Sequence, residues 1–203
     1  MNDQDTYQTP RAHLLPLFSK IDALLTHAPI VIAIDGGSAS GKSTLAADLA
    51  AHYHCNVFHI DDFFLQPHQR TAARLCEIGG NFDRERFLEE VLQPLKEGGA
   101  VTYRRFDCKS GELQAPLTVA PHRLAVVEGA YAMHPSLAPH YDLSVFLDVA
   151  PSLQKQRIQK RNTPEQAARF FGEWIPKENA YFAQMQVKER CDLVLKVFDR
   201  NDT

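Results

Sequence analysis

Short apolar runs alternate along the chain with longer segments in which apolar residues recur every three or four positions. Ile30 to Ile34, Leu124 to Val127 and Leu143 to Val149 have the length and composition of buried strands. After Ser43, leucine and alanine residues instead recur at helical spacing, to about His54. Strands that alternate with helices predict a parallel sheet with both faces covered. The chain is therefore expected to be an α/β protein.

The same two patterns predict the remaining elements. A helix with apolar residues from Leu14 to Leu25 precedes the first strand, with Thr9 as its cap and Pro10 as its first residue. Further strands are predicted at Val57 to Ile60, Val101 to Phe106, Leu113 to Val119 and Leu193 to Val197, the middle two forming a hairpin. Further helices are predicted at Asp83 to Leu95, from Pro151 onward, at Pro164 to Trp174 and at Pro176 to Arg190.

These elements fit a single domain over residues 1–203, within which three parts differ from the rest. Residues 1–28 are expected to be a frayed tail followed by the first helix. Leu65 to Phe82 is too long for a plain connection and predicts a substrate-side insertion, which extends over about residues 65–120. The segment of about residues 153–175 is expected to form a lid.

The composition excludes several classes of protein. A hydrophobic fraction of 44% and a charged fraction of 23% are typical of a soluble globular protein. No apolar run approaches the length of a membrane span, and the polar N-terminus does not resemble a signal peptide. A net charge of −3 gives no reason to expect a nucleic-acid partner. The four cysteines and nine histidines lack zinc-ligand spacing, and the separated thiols indicate a cytoplasmic protein.

The chemistry is concentrated first in a glycine-rich run. Gly36 to Ser43 reads Gly-Gly-Ser-Ala-Ser-Gly-Lys-Ser and matches G-x-x-x-x-G-K-[ST] between a predicted strand and a predicted helix. The glycines let backbone N–H groups turn toward phosphates. Lys42 is expected to reach the outer phosphates during catalysis, and the Ser43 hydroxyl to ligate magnesium. The residues expected to bind the nucleotide are Gly36, Gly37, Ser38, Ala39, Ser40, Gly41, Lys42, Ser43 and Thr44. A glycine-rich turn that merely caps a helix is the alternative.

Acidic residues follow three of the predicted strands. In an open parallel sheet, ligands bind beyond the carboxyl ends of the strands. Asp35, the pair Asp61-Asp62 and Glu128 all fall there. Asp61 is expected to accept the proton of an attacking hydroxyl, and Glu128 to lie on the magnesium side. The alternative is that these acids cap helices or orient loops, which is the expected role of Asp62.

A basic helix follows Pro151. Arg157 and Arg161 are four residues apart and therefore share one face of this helix. Positive charge beside a phosphoryl group in transit stabilises the transition state. The two arginines are expected to be catalytic residues of the lid, with a solvated basic face as the alternative.

These motifs together resemble a known group of enzymes. The stretches that carry the resemblance, besides the glycine-rich run and the arginine helix, are Asp61-Asp62-Phe63-Phe64, Asn81-Phe82-Asp83, Tyr103-Arg104-Arg105-Phe106-Asp107 and Val127-Glu128-Gly129. From about Ile30 to Arg161 the chain resembles the uridine kinase-like P-loop kinases, a group that includes phosphoribulokinase, pantothenate kinase and nicotinamide riboside kinase. The resemblance implies a P-loop NTPase fold, a three-layer sandwich with a mostly parallel central sheet and a small lid.

The resemblance also implies roles for individual residues. Asp61 matches the general base, and Glu128 matches the acidic residue near magnesium. Asp83 resembles the aspartate that holds sugar hydroxyls, and Arg157 and Arg161 resemble lid arginines that face the phosphates. The acceptor is expected to contact Asp61, Phe64, Asp83, Tyr103 and Arg105. The cofactors implied are ATP and Mg²⁺, and the partner is a small-molecule acceptor, with a homo-oligomer compatible with the group.

The chain departs from uridine kinases at two places. Phe64 stands where they have tyrosine, and Asn162-Thr163-Pro164 replaces an arginine-glycine-arginine run, with Arg169 as the nearest substitute. A nucleoside acceptor is favoured, and nicotinamide riboside, pantothenate or a sugar phosphate are alternatives. An acidic acceptor would be bound by Arg70, Arg74, Arg104 and Arg105. A regulatory nucleotide-binding protein is the alternative from another class, although the guanine-reading N-K-x-D motif is absent.

Overall fold

The computed structural model describes residues 12–198, and the expected frayed tail and the Thr9-Pro10 cap lie outside this range. Five parallel strands form the central sheet in the order β2-β7-β1-β8-β9. Its strands are β1 (Ile30–Gly36), β2 (Asn56–His59), β7 (Leu124–Glu128), β8 (Leu143–Val149) and β9 (Leu193–Val197). The predicted parallel sheet is thereby confirmed, with strand bounds that shift by one residue in β2 and β7 and by two residues at the end of β1.

The register of the sheet brings three strand ends to one edge. Glu128, the last residue of β7, lies opposite Ile34 of β1 and His59 of β2. The segments that follow these strands therefore leave the sheet beside one another. This edge holds the glycine-rich loop and the acidic residues that the sequence places at strand ends, which are Asp35, Asp61-Asp62 and Glu128.

Side chains alternate between the two faces of the sheet, and helices cover both. Ile30, Ile32 and Ile34 are buried against α1 (Leu15–Leu25) and α2 (Lys42–Tyr53). Each such side chain contributes about 1.5–3 kcal/mol by burial. Residues of the opposite phase, which include Ala33, Phe58, Val127, Phe146 and Tyr181, form a second core. Helix, sheet and helix make the three layers that the sequence predicts.

Two long helices contain a π-helical turn just ahead of a proline. One runs through α4 (Arg84–Phe87), the π turn Leu88–Leu92 and α5 (Gln93–Lys96); the other runs through α7 (Pro164–Arg169), the π turn Phe170–Trp174 and α8 (Ile175–Gln184). Proline lacks an N–H and its ring collides with the carbonyl of the preceding turn. A wider turn before Pro94 and before Pro176 accommodates both defects.

The second of these helices corrects two predicted boundaries. Pro176 does not open a new helix, because the chain is already helical from Pro164. The helix also ends at Gln184 and not at Arg190, since Gln186 has a left-handed backbone with φ of 49°. A separate short helix, α9 (Val187–Arg190), follows. The basic helix that carries Arg157 and Arg161 is α6 (Pro151–Arg161), as expected from Pro151.

The insertion between the second and third strands of the central sheet is compact. It contains the 3₁₀ turn Pro67–Gln69, the helix α3 (Ala72–Cys76), the helix from Arg84 to Lys96 and an antiparallel hairpin. The hairpin pairs β3 (Val101–Tyr103) with β6 (Leu117–Val119) and β4 (Phe106–Asp107) with β5 (Glu112–Leu113), as predicted but with an interruption. Within residues 12–198, no helix is long and apolar enough to cross a membrane.

Candidate active site

The glycine-rich loop connects β1 to α2 and requires an unusual backbone. Gly36 and Gly41 have φ values of 143° and 101°, a region that side chains disfavour. A β-carbon on Gly36 would lie 2.6 Å from the Leu147 carbonyl oxygen. Leu45 is the first residue of α2 whose backbone N–H donates to a carbonyl group. Its nitrogen lies 2.9 Å from the Gly41 oxygen. The N–H groups at the start of α2 therefore remain available to an anion.

Lys42 places a positive charge inside this loop. Its side chain is buried, and Nζ donates to the Gly36 oxygen at 2.8 Å and to the Gly37 oxygen at 3.1 Å. These bonds fold the lysine back over the loop in which it stands. The ammonium group and the amide donors of α2 thus belong to one short segment of chain, which suits binding of a polyphosphate.

The two residues expected at magnesium contact each other. The Ser43 hydroxyl donates to Glu128 Oε1 at 3.0 Å, and His59 Nδ1 lies 2.5 Å from the same oxygen. Burial opposes ionisation of Glu128, but the hydrogen bond and charge of His59, the charge of Lys42 and the Ser43 bond outweigh it and lower its pKa. The pKa of His59 is raised by the same pair. The carboxylate is therefore ionised at neutral pH.

The donor atoms at this position fit magnesium. Mg²⁺ prefers oxygen ligands and is usually held by one or two carboxylates together with substrate phosphates and water. Ser43 Oγ and the Glu128 carboxylate supply such oxygens beside the glycine-rich loop. Across the part of the chain that the structure describes, no three His, Cys, Asp or Glu side chains form a metal cluster. A cation here would thus depend on phosphate oxygens as well.

Asp61 lies at the same edge of the sheet, and its side chain does not hold any other described residue in place. It is the second residue of a 3₁₀ turn, Ile60–Phe63, that follows β2 directly. Its side chain is exposed, and no hydrogen bond joins it to another residue of the described range. Although part of the side chain is open to solvent, the protein atoms around the carboxyl group desolvate it, and this effect, together with the charges of Glu128 and Asp62, raises its pKa against the opposing charges of Lys42 and His59. Such a carboxylate can accept a proton from a ligand.

Arg105, one of the residues expected to contact the acceptor, pairs with Asp62. Arg105 Nε lies 3.2 Å from Asp62 Oδ2, and the arginine side chain is 47% exposed. Tyr103 is buried, and its ring stacks on Phe63 with centroids 5.7 Å apart. Phe64 is half-buried and pairs by its backbone with Phe82. Of these residues, the exposed Arg105 and the half-buried Phe64 lie nearest to solvent.

Asp83 is used as a helix cap in this structure. Its Oδ1 accepts the Arg86 N–H at 3.1 Å, and its Oδ2 accepts from Gln69 Nε2 at 2.9 Å. Arg86 Nε adds an ion pair at 3.4 Å. The carboxylate is only 1% exposed. Contact with a sugar hydroxyl, as the resemblance implies, would require Asp83 to exchange one of these partners.

The two lid arginines lie in different environments. Arg157 donates to the Ala39 carbonyl at 3.1 Å and to the Phe198 carbonyl at 3.0 Å, so it holds the glycine-rich loop through its carbonyl groups. Arg161 is exposed, with its guanidinium 5.5 Å from the Phe170 ring centroid. Arg169, the arginine nearest in sequence to the missing arginine-glycine-arginine run, lies with its guanidinium 5.3 Å from the Trp174 ring centroid. The structure does not bring Arg157 and Arg161 together at the loop.

Four side chains in or beside the site were missed by the sequence analysis. Gln154, Glu178 and Tyr181 contact the loop or its supporting Asp35, and His59 holds Glu128. One signal was present for His59, since it ends the strand that pairs in register with β7. Glu178 and Tyr181 are one helical turn apart, but only the fold shows which neighbours this face contacts.

The parallel sheet, the loop at the end of its central strand and the helices on both faces define the fold of a P-loop nucleotide-dependent kinase. The chain belongs to the phosphoribulokinase/uridine kinase family, whose model matches residues 31–166.

Individual relatives agree with this assignment. Uridine kinase-like protein 3 of Arabidopsis thaliana is 27% identical over 147 residues, which are 68% of this chain and 31% of that protein. The phosphoribulokinase of Synechocystis sp. is 25% identical over 182 residues, 83% of this chain and 53% of that protein. The chain thus spans only 31% and 53% of the length of these two relatives.

Solved structures share the fold over nearly the whole chain. A protein from Silicibacter sp. TM1040 named "putative fructose transport system kinase" superposes with a TM-score of 0.70 and 25% identity, covering 88% of this chain and 98% of that one. A "possible uridine kinase" from Bacillus stearothermophilus gives a TM-score of 0.65 at 22% identity, covering 89% and 100%. Family and fold together identify the chain as a P-loop kinase domain.

Proposed function

We propose that the protein transfers the γ-phosphoryl group of ATP, with Mg²⁺, to a hydroxyl of a small uncharged metabolite, and that a nucleoside is the first candidate. The observation that carries this proposal is the position of Asp61. Asp61 lies in the turn that directly follows β2, at the edge of the sheet that also holds the glycine-rich loop and the Ser43–Glu128 contact. Within the described residues, its carboxylate has no hydrogen-bond or ion-pair partner. A base on one side and phosphate-binding groups on the other are the parts that phosphoryl transfer to an alcohol requires.

In the proposed reaction, Asp61 takes the proton of the acceptor hydroxyl. The acceptor oxygen forms a bond to the γ-phosphorus, the bond from that phosphorus to the β–γ bridging oxygen breaks, and ADP leaves. Lys42 and the N–H groups at the start of α2 hold the phosphates and offset their charge. Magnesium, when held by Ser43 and Glu128, would neutralise further phosphate charge. The protein contributes mainly position and electrostatics.

The pairing of the arginines supports an uncharged acceptor. Arg74 contacts Glu85 at 2.7 Å, and Arg105 contacts Asp62 at 3.2 Å. Arg70 donates to the Leu65 carbonyl and lies over the Phe106 ring. Two of the four arginines that would bind an acidic acceptor thus already have carboxylate partners. This favours a nucleoside or a similar alcohol over pantothenate or a sugar phosphate.

A direct screen tests the proposal. Purified protein with magnesium and γ-³²P-ATP would be incubated with nucleosides, nicotinamide riboside, pantothenate and sugar phosphates, and labelled products separated by chromatography. We expect label in an uncharged nucleoside or alcohol, and label in nicotinamide riboside alone, whose pyridinium ring is cationic, would contradict an uncharged acceptor. Labelling of acidic acceptors only would contradict the choice of acceptor, and ATP binding without transfer to any acceptor would favour a regulatory protein.

The four free thiols further support a cytoplasmic location, which we propose as well.

A further inference from the structure

A buried carboxylate from the C-terminal part of the chain contacts the glycine-rich loop. Glu178 of α8 is 6% exposed, and both of its oxygens are occupied by Ser38. Oε2 accepts the Ser38 N–H at 2.8 Å, and Oε1 accepts the Ser38 hydroxyl at 2.5 Å. A buried carboxylate is costly unless hydrogen bonds satisfy it, and here both bonds come from one residue of the loop.

The remaining polar group of Ser38 is bound from the same part of the molecule. Gln154 of α6 donates to the Ser38 carbonyl at 2.9 Å, and Arg157 donates to the next carbonyl, that of Ala39. Every backbone and side-chain polar group of Ser38 is therefore held by α6 or α8. This fixes the middle of the loop without using the N–H groups at the start of α2, which stay open to phosphate.

The same helix also supports the beginning of the loop. One turn after Glu178, the Tyr181 hydroxyl donates to Asp35 Oδ2 at 2.8 Å. The other oxygen of Asp35 accepts the Gly36 N–H at 2.6 Å. Helix α8 thus contacts two points of the segment from Asp35 to Ser38. Because α8 continues from α7 through the π turn, it also joins this segment to the lid region.

We propose that Glu178 is a positioning residue for nucleotide binding, which holds Ser38 so that the loop keeps the shape that a triphosphate requires. The proposal rests on the function proposed above, because it assumes that the loop binds ATP. An anionic side chain close to a polyphosphate is unfavourable by charge alone. Its presence here is explained if ordering the loop before ATP arrives contributes more than this repulsion removes.

The test is the affinity of the full chain for ATP with magnesium, measured by titration calorimetry on wild type and Glu178→Gln. Glutamine has nearly the same shape but offers one acceptor oxygen where two are needed. We expect the Kd for ATP to rise about ten- to hundredfold in this variant, the range for loss of a charge-assisted hydrogen bond at a folded site. Circular dichroism would show that each protein is folded at the temperature of the titration.

Two further variants make the test specific. Glu173→Gln removes an exposed carboxylate of the same helical segment that pairs with Lys177, four residues further along the chain, and we expect no change in the Kd. Ser38→Ala removes the hydroxyl but keeps the N–H, and we expect a rise of about three- to tenfold. In the double variant Ser38→Ala with Glu178→Gln, the loss of binding free energy is expected to be smaller than the sum of the losses in the two single variants, because both substitutions break the same contact.

The outcomes separate the inference from the proposed function. Unchanged or tighter ATP binding by Glu178→Gln would overturn the positioning role, and tighter binding would show that repulsion dominates. If Glu178→Gln does not fold, Ser38→Ala decides, and an unchanged Kd in that variant overturns the inference. Failure of the wild-type protein to bind ATP would instead contradict the proposed function itself.

Discussion

The proposed nucleotide side and the proposed acceptor side of the candidate site are built in different ways. The nucleotide side uses nine consecutive residues, Gly36 to Thr44, whose backbone shape depends on glycines at fixed positions. The acceptor side combines the turn at Asp61, the cap at Asp83 and the hairpin residue Arg105, which lie far apart in the chain. A contiguous motif therefore indicates the donor of the reaction, whereas the acceptor depends on how distant segments pack.

The two sides also differ in charge. On the nucleotide side, Lys42 and Arg157 donate to carbonyl groups, and within the described residues neither forms an ion pair with a carboxylate. The charge of Lys42 still acts on Asp61 and Glu128 without such a contact. On the acceptor side, Arg74 and Arg105 are each paired with a carboxylate. The first arrangement suits a polyanion, and the second suits an uncharged ligand. The following variants test this difference between the two sides and are ordered from the largest expected effect to the smallest.

Asp61→Asn should separate the two sides most clearly. Loss of a general base lowers turnover by about 10²–10⁴-fold, whereas ATP affinity should change little because Asp61 does not hold the loop. Single-turnover transfer and calorimetric ATP binding would measure the two effects. Asp62→Asn is the matched control, since it removes the neighbouring carboxylate and its pair with Arg105. Equal losses of turnover in both variants would show that Asp61 has no special role.

Asp35→Asn tests the support beneath the loop through its pH dependence. Burial raises the pKa of Asp35 from 3.8 to about 6, although the Met133, Tyr181 and Gly36 donors and the charge of Lys42 oppose the shift. Between these two values the folded state keeps a proton that the unfolded state releases. Stability should therefore fall as the pH rises from about 4 to about 6, and remain lower above that.

The size of this effect can be isolated by comparison with the variant. Relative to Asp35→Asn, the wild type should lose about 2–3 kcal/mol of unfolding free energy between pH 4 and pH 7. Urea unfolding at both pH values would measure it. Burial keeps the other titratable neighbours of Asp35 neutral over this range by raising their pKa; these are Tyr131, Tyr141, Tyr181 and Cys191. A difference that does not vary with pH would contradict the assigned titration.

Asp83→Ala tests whether Asp83 serves as a helix cap or binds the acceptor. Loss of the cap on α4 should lower the free energy of unfolding by about 1–2 kcal/mol. Thermal or urea unfolding would show this loss. The KM for the acceptor identified in the screen adds the functional half of the test. A rise in that KM with little loss of stability would mean that Asp83 leaves its cap to bind the acceptor.

Arg161→Gln should have the smallest effect of the four. Its exposed guanidinium lies over Phe170, a contact that contributes about 0.5–1 kcal/mol. If it meets the phosphates only when the lid closes, turnover should fall while stability hardly changes. Unchanged kcat and KM for ATP in this variant would show that Arg161 lies on a solvated face and takes no part in the reaction. Arg157 would then be the arginine of this pair that acts at the glycine-rich loop.

The fold could be predicted largely from local patterns. The apolar runs at Ile30 to Ile34 and Leu124 to Val127 specify buried parallel strands, and the motif between β1 and α2 requires a loop of one shape. The error at Pro176 has a simple cause. Proline usually opens a helix, but a π turn ahead of it lets an existing helix continue.

The candidate site was predictable only in part, for a related reason. Glu128 and Asp61 could be placed because strand ends in a parallel sheet meet at one edge. Glu178 could not be placed, since its partner Ser38 is 140 positions away. The role of Asp83 as a cap depends on Gln69 and Arg86, whose positions follow from packing within the insertion. Contacts between distant segments leave no periodic signal in the sequence.

The central claim is that one bound acceptor hydroxyl lies between Asp61 and a triphosphate held by the glycine-rich loop. A crystal structure with magnesium, a non-hydrolysable ATP analogue and the acceptor found in the screen tests it most directly. The account predicts phosphate oxygens on the amides at the start of α2 and an Asp61 oxygen about 2.6–3.2 Å from the acceptor hydroxyl. An acceptor hydroxyl bound by another base, with Asp61 turned to solvent, would contradict it.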